Sequence, residues 1–233
     1  MKLLAFDTST EALSVAVQHG AQAWRHSGAG GAQASATLIP TARALMAQAG
    51  LLGFAALDAV VFGRGPGSFT GLRTACSVAQ GLAFGAGVPV LPVDTLLAVA
   101  EDARARHGCD RVVAVLDARM GEVYAAACAW NAGTGLWRCD ADFALCAPEA
   151  LPVPPGWTVA GNARAAYGER LAPGAAHVDA LPTADALLRL APALLAAGKA
   201  VAAAAALPRY IRDKVAKTTA EREAERAALA GHP

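Results

Sequence analysis

"VVFGRGPGSFTGLRTACSVAQGLAFGAG" runs from Val60 to Gly87 and changes character twice. An apolar, β-branched run stops at Gly63-Arg64-Gly65-Pro66-Gly67, and Ser68 then opens a long series of small and apolar residues. The first part reads as a buried strand. Ser68 is placed to cap a helix that the spacing carries to about Phe84. Strand, glycine-rich turn and helix together can present backbone N–H groups to an anion. Two readings stay open. An anion sits at that helix start, helped by Arg64 or Arg73, or the glycines shape a tight turn that Ser68 caps. A Walker A loop is excluded, since it requires G-x-x-x-x-G-K-[ST] and the stretch holds no lysine. G-x-G-x-x-G fails as well, because Ser68 occupies the third glycine position.

Gly71, Ala75 and Ala79 recur every four residues, so one face of the helix is nearly smooth and a neighbour can approach closely. Leu72, Cys76 and Ala83 make the other side apolar too. A helix apolar most of the way round is covered on both sides. It is either central in the core or part of an interface.

Upstream, two apolar runs, Lys2–Phe6 and Leu13–Val17, flank the polar turn Asp7-Thr8-Ser9-Thr10 and predict a β-hairpin, with "QAWRHS" as a third strand. That turn can be a plain hairpin turn, or an aspartate meeting phosphate-bound Mg²⁺ beside hydroxyl residues. From Ser35, Leu38, Ala42, Leu45 and Ala49 share a face, predicting a helix that ends at Gly50 with Pro40 in its first turn. "VPVLPVD" predicts a strand, and Thr95–His107 a helix stopped by Gly108. This order gives a mixed sheet with helices packed on it, an α/β domain. Near Asp110 the pattern restarts: two strands about Ala118-Arg119-Met120-Gly121, an edge strand within Leu136–Cys146, a proline-rich connection, the strand "TVAG", a helix over Ala163–Leu171, and a helix capped by Thr183 and ended by Gly198. The expected divisions are an N-terminal lobe at 1–108, a second lobe at 109–207, and a segment at 208–233 whose Thr218 and Glu221 have capping-box spacing for a charged helix.

The chain of 233 residues is 55% hydrophobic, with 20 basic and 19 acidic side chains. No polybasic block is present to neutralise many phosphates, so autonomous nucleic-acid binding is not expected. The N-terminus turns acidic too soon for a signal peptide. The apolar region Ala184–Leu207 is broken by Asp185, Arg189, Pro192 and Lys199, which argues against a membrane span. Five cysteines without a C-x-x-C pair suggest reduced, buried thiols of a cytoplasmic protein. The five histidines form neither H-x-x-x-H nor H-E-x-x-H, so no helical metal site is expected, and a G-x-S-x-G nucleophile elbow is missing. These absences also leave a peptidase reading with little support.

"AFDTST", "GRGPGSFTGLR" with its "AQGLA" helix, "VLDARMGEVYAA" and "PRYIRDKVA", in this order, resemble the TsaB (YeaZ) family of bacterial proteins required for threonylcarbamoyladenosine on tRNA next to the anticodon. The resemblance implies an actin-like ATPase fold, of the ASKHA and ribonuclease H-like kind, with two related lobes, each a mixed sheet flanked by helices. It implies a dimerisation subunit, with no catalytic residues, that binds the catalytic subunit TsaD and supports docking of the ATPase TsaE. Self-association through the N-terminal lobe is also implied, and tRNA would be met only indirectly. No cofactor of its own is implied, although a nucleotide at a surface shared with a partner fits.

Carried over residue by residue, Leu38, Leu45, Ser68, Phe69, Thr70, Gly71, Leu72, Ala75 and Ala79 become interface candidates. Gly63, Arg64, Gly65, Pro66, Gly67 and Arg73 become the turn that aims the partner-binding helix. Asp7, Thr8, Ser9 and Asp117 would be remnants of phosphate loops. Thr95 and Val99 stand where TsaD carries metal-binding histidines, and Ala118-Arg119-Met120 replaces glycines after Asp117. Ala34 precedes Ser35 where members often carry a histidine, so no role of that histidine transfers. The competing expectation is an active actin-like ATPase or kinase using Asp7 and Asp117.

Overall fold

The computed structural model describes residues 1–139 and 142–212. The expected hairpin forms from β1 (Lys2–Asp7) and β2 (Ala12–His19), with β3 (Gln22–Ala29) antiparallel on the outer side of β2. On the other side of β1, β4 (Ala59–Gly65) and β5 (Val90–Asp94) run parallel to it, so the sheet order is β3-β2-β1-β4-β5. The second sheet repeats this plan. β6 (Arg111–Arg119) and β7 (Glu122–Asn131) make a hairpin, and the short β8 (Leu136–Cys139) continues the antiparallel side. β10 (Thr158–Gly161) and β11 (Ala176–Asp179) add parallel strands beside β6. The expected edge strand splits, because β9 (Ala144–Cys146) pairs with a different part of β7. β11 was not expected. Its four residues, "AHVD", lie at the sheet edge, and two apolar positions are too short an alternation to mark a strand.

Both faces of the first sheet are covered. Leu4, Phe6, Val60 and Phe62 pack beneath α1 (Ala34–Gln48) and α2 (Phe69–Ala86). Leu3, Ala5, Val61 and Leu91 point the other way, and their cover is α5 (Ala184–Ala196), which arrives from the far end of the chain. α3 (Thr95–His107) lies on the second sheet over Val112, Ala114 and Leu116, and the short α4 (Ala163–Tyr167) helps cover its other face. A cut at 108 therefore separates the sheets but not the packing units. Each lobe borrows a helix from the other's stretch of sequence.

Two local expectations are corrected. Pro40 lies inside α1 rather than in its first turn. It is exposed, and the carbonyl that loses its helical partner belongs to Ala36, which also faces solvent. The cysteines are not all reduced thiols, because Cys128 and Cys139 are disulfide-bonded across β7 and β8, where they stand directly opposite. Cys76, Cys109 and Cys146 are free. The helix expected from Thr218 lies outside the described residues. Among those described, no helix is long and apolar enough to cross a membrane.

Candidate functional site

β1 ends at Asp7, and the turn that follows is driven into the glycine-rich turn after β4. Each glycine there marks a place where this chain touches itself. A Cβ on Gly63 would lie 1.7 Å from Asp7 Oδ2, and one on Gly67 2.5 Å from the Ser9 carbonyl oxygen. On Gly71 it would lie 1.9 Å from the Thr8 carbonyl oxygen, and on Gly65, whose φ is +117°, 2.5 Å from the Arg209 carbonyl oxygen. Hydrogen bonds close the interlock. Ser68 N–H donates to the Ser9 carbonyl at 2.7 Å, Thr8 Oγ1 to the Gly71 carbonyl at 2.7 Å, and Gly65 N–H to Thr95 Oγ1 at 3.0 Å. Ser68 caps α2 as expected, accepting from Gly71 N–H. Close backbone packing against Thr8 and Ser9 accounts for Gly67 and Gly71.

Asp7 is wholly enclosed. Its Oδ1 accepts from Ser9 N–H at 2.8 Å and Ser9 Oγ at 2.6 Å, while Oδ2 has no partner. Burial pushes its carboxyl up to about 6, against the smaller opposing pull of the Ser9 bonds. Asp117 stands across the cleft and is already engaged. Its carboxylate accepts from Tyr167 Oη at 2.8 Å and Arg119 N–H at 2.8 Å, with the Arg119 guanidinium at 3.2 Å. Burial, then the bond to Asp117, pushes the Tyr167 phenol up to about 12. Arg119 and Met120 both have left-handed φ, and Arg119 reaches across to Glu11 at 2.8 Å. Between the lobes remains a cleft of about 280 Å³, lined by Ser9, Glu11, Ser68, Asp117, Arg119 and Arg212 among others.

The sequence reading missed the segment that ties this cleft together. Ala206–Arg212 crosses from one lobe to the other. The Ala206 carbonyl accepts from Gln80 Nε2, Arg209 N–H donates to the Arg64 carbonyl, and the Arg209 guanidinium joins Arg64 on Asp94. Tyr210 packs against Phe69, whose ring also carries the Arg73 guanidinium at 3.7 Å. Arg212 then grips the β6–β7 turn through Glu122 at 2.7 Å and the Ala118 carbonyl at 3.1 Å. "PRYIRDKVA" signalled this only by resemblance. Alternating arginines and an aromatic do not say which carboxylate they will meet. Arg212→Ala is expected to cost about 2–3 kcal/mol, because it strands Glu122 and the turn carbonyls together, readable as a lowered urea midpoint.

The expected interface residues divide. Leu38, Leu45, Gly71, Leu72, Ala75 and Ala79 are all buried in this chain's own core, so the smooth face of α2 is filled by its own sheet and the Asp7–Ser9 turn. Within this chain these six residues therefore serve its own packing. Ser68, Phe69 and Thr70 are exposed. Farther along α2 the outward row is Arg73, Ser77, Gly81 and Phe84, and Phe84 is 82% exposed. Thr95 and Val99 are both buried, Thr95 binding the glycine turn and Val99 packing in the core beneath α3.

Residues 29–136 match the family described as TsaD: tRNA N6-adenosine threonylcarbamoyltransferase. The tRNA threonylcarbamoyladenosine biosynthesis protein TsaB of Escherichia coli (strain K12) is 34% identical over 228 residues, covering 93% of this chain and 96% of its own length. Its namesake from Haemophilus influenzae is 45% identical over 124 residues, covering 53% of this chain and 52% of its own. Among solved structures, YeaZ from Pseudomonas aeruginosa superposes with a TM-score of 0.83 at 41% identity, covering 90% of this chain and 99% of that one.

Proposed function

The chain belongs to the TsaB family, and from that premise we propose that it serves tRNA threonylcarbamoyladenosine biosynthesis as a non-catalytic dimerisation subunit. Its fold is the two-lobed, actin-like α/β fold of that family. One observation carries the non-catalytic reading. The glycine turn after β4 is packed against this chain's own Thr8 and Ser9, and Arg119 lines the cleft with its guanidinium on Asp117. Asp7 has no open side toward a Mg²⁺ ion, and Asp117 is held by Tyr167 and Arg119.

In this reading the partners are the catalytic subunit TsaD and the ATPase TsaE, and tRNA is met through the complex. The N-terminal lobe supplies the contact, either to TsaD or to a second copy of this chain. The outward row of α2 supports that assignment. Thr70, Ser77 and Phe84 recur at seven-residue spacing, with Arg73 and Gly81 between them, giving a helix surface with one large apolar anchor and little else to repel a partner.

The test is light scattering during size-exclusion chromatography, with this chain alone and mixed with TsaD from the same organism. A shared peak at the heterodimer mass, or a multiple of it, is expected. Phe84→Glu is expected to weaken assembly by about 30-fold or more while leaving thermal stability unchanged, since the side chain is solvent-exposed. Mg²⁺-dependent ATP turnover by the isolated chain, lost in Asp7→Ala, would instead establish the ATPase or kinase reading.

A further inference from the structure

β8 is a four-residue edge strand, yet it carries a side chain that joins the two lobes. Trp137 packs against both the core beneath α5 and the core beneath α3. Its indole Nε1–H donates to Glu101 Oε2 at 3.1 Å, and Glu101, on α3 and 2% exposed, also meets Arg189 of α5 at 3.0 Å. The buried carboxylate is thus shared by a helix of each packing unit and by β8. Trp137 stands directly opposite Trp130, and their rings meet edge to face at 5.5 Å. Cys139 and Cys128 lie two residues along on each strand, on the same side as the tryptophans. The disulfide therefore clamps the strand that presents Trp137.

The two cysteines differ in burial. Cys128 is fully buried, whereas Cys139 is partly exposed on the edge strand. Exchange chemistry needs one reachable sulfur and one leaving sulfur, and this pair supplies both. Cys146 lies farther along the same edge of β7, opposite Val123, and is not in register with the pair.

We propose that Cys128 and Cys139 form a reversible thiol–disulfide site for low-molecular-weight thiols and disulfides, and that its closure fixes Trp137 across the two lobes. A small thiolate attacks Cys139 Sγ, the protein S–S bond breaks, and Cys128 leaves as a thiolate that takes a proton from water. A second small thiolate then attacks the outer sulfur of the mixed disulfide, releasing the Cys139 thiolate, which is protonated in turn. Two small thiols are oxidised to one small disulfide, and the protein disulfide is reduced to two thiols. Closure is the reverse, with the small disulfide as oxidant.

The experiment equilibrates the full chain in glutathione buffers of graded redox ratio, approached from both directions. Quenching with iodoacetamide and intact mass measurement count the thiols. The expected result is one interconversion of two thiols, with the same midpoint from either side. Reduction should lower the melting temperature by about 5 °C or more. It should also speed amide exchange in β8 and α5 by at least tenfold. Cys139→Ser should resemble the reduced protein and ignore the buffer, and the reduced wild type provides the same comparison without a substitution. A pair that does not interconvert overturns the proposal. So does interconversion that leaves melting temperature and exchange unmoved, since the bond would then fix nothing.

Discussion

Gly71→Ala should unfold or severely destabilise the protein, lowering its melting temperature by about 10 °C or more, while Gly81→Ala on the same helix should raise it slightly. Alanine ordinarily favours a helix interior over glycine, by about 0.5–1 kcal/mol. At Gly81 nothing lies within 4 Å of the new Cβ, so that gain should appear undiminished. At Gly71 the same methyl lies 1.9 Å from the Thr8 carbonyl oxygen. The atom it meets is backbone, held by β1 and by the Thr8 Oγ1 bond to the Gly71 carbonyl, so no rotamer change can relieve the overlap. Either α2 or the Asp7–Ser9 turn must shift, at an expected cost of about 4 kcal/mol or more. Thermal melts of both variants check this. Equal effects would show that the interlock is not what holds the helix start.

The second large effect is a pH dependence centred on Asp7. Its folded carboxyl is raised to about 6 from an ordinary 3.8, so the native state prefers the protonated form. The favourable contribution is complete below about 3.8 and is lost as pH rises through about 6, leaving a buried, half-satisfied carboxylate at neutral pH. A shift of roughly two units corresponds to about 3 kcal/mol at most. Asp7→Asn keeps an oxygen for the Ser9 donors and removes the charge. It should be more stable than wild type above about pH 7, with the difference vanishing near pH 4. Chemical denaturation of both proteins across that range measures the difference directly, and paired carboxylates elsewhere cancel in the comparison. A flat difference would mean that Oδ2 is solvated in the folded protein.

Much of the architecture is legible in the sequence alone. Ser68 as a cap, Gly108 as a helix stop and the restart near Asp110 are local signals, each set by a backbone requirement of its own position. What failed to read through was destination. The row Gly71, Ala75, Ala79 correctly announced close approach, but periodicity reports that a face is smooth and not what covers it. Glycines that admit a phosphate and glycines that admit a neighbouring carbonyl obey the same steric rule, so the turn could not be assigned from its composition. The residues after Asp117 leaned one way, because Arg119 and Met120 carry side chains where a phosphate loop would have glycines. The contacts of Arg209 with Asp94 and of Arg212 with Glu122 span 115 and 90 residues, and no local window contains them.

The crossing of α5 onto the first sheet has a consequence for how the protein is made. As the chain leaves the ribosome, β1, β2, β4 and β5 are all synthesised before the helix that will cover Leu3, Ala5, Val61 and Leu91. Until residue 196 has emerged, the nascent first lobe has one bare apolar face and an unoccupied place for its last helix. Vectorial synthesis thus cannot finish the N-terminal lobe first, as it does for sequential domains. The first lobe is completed only late in translation, when α5 reaches it, and until then the half-made protein exposes that apolar face.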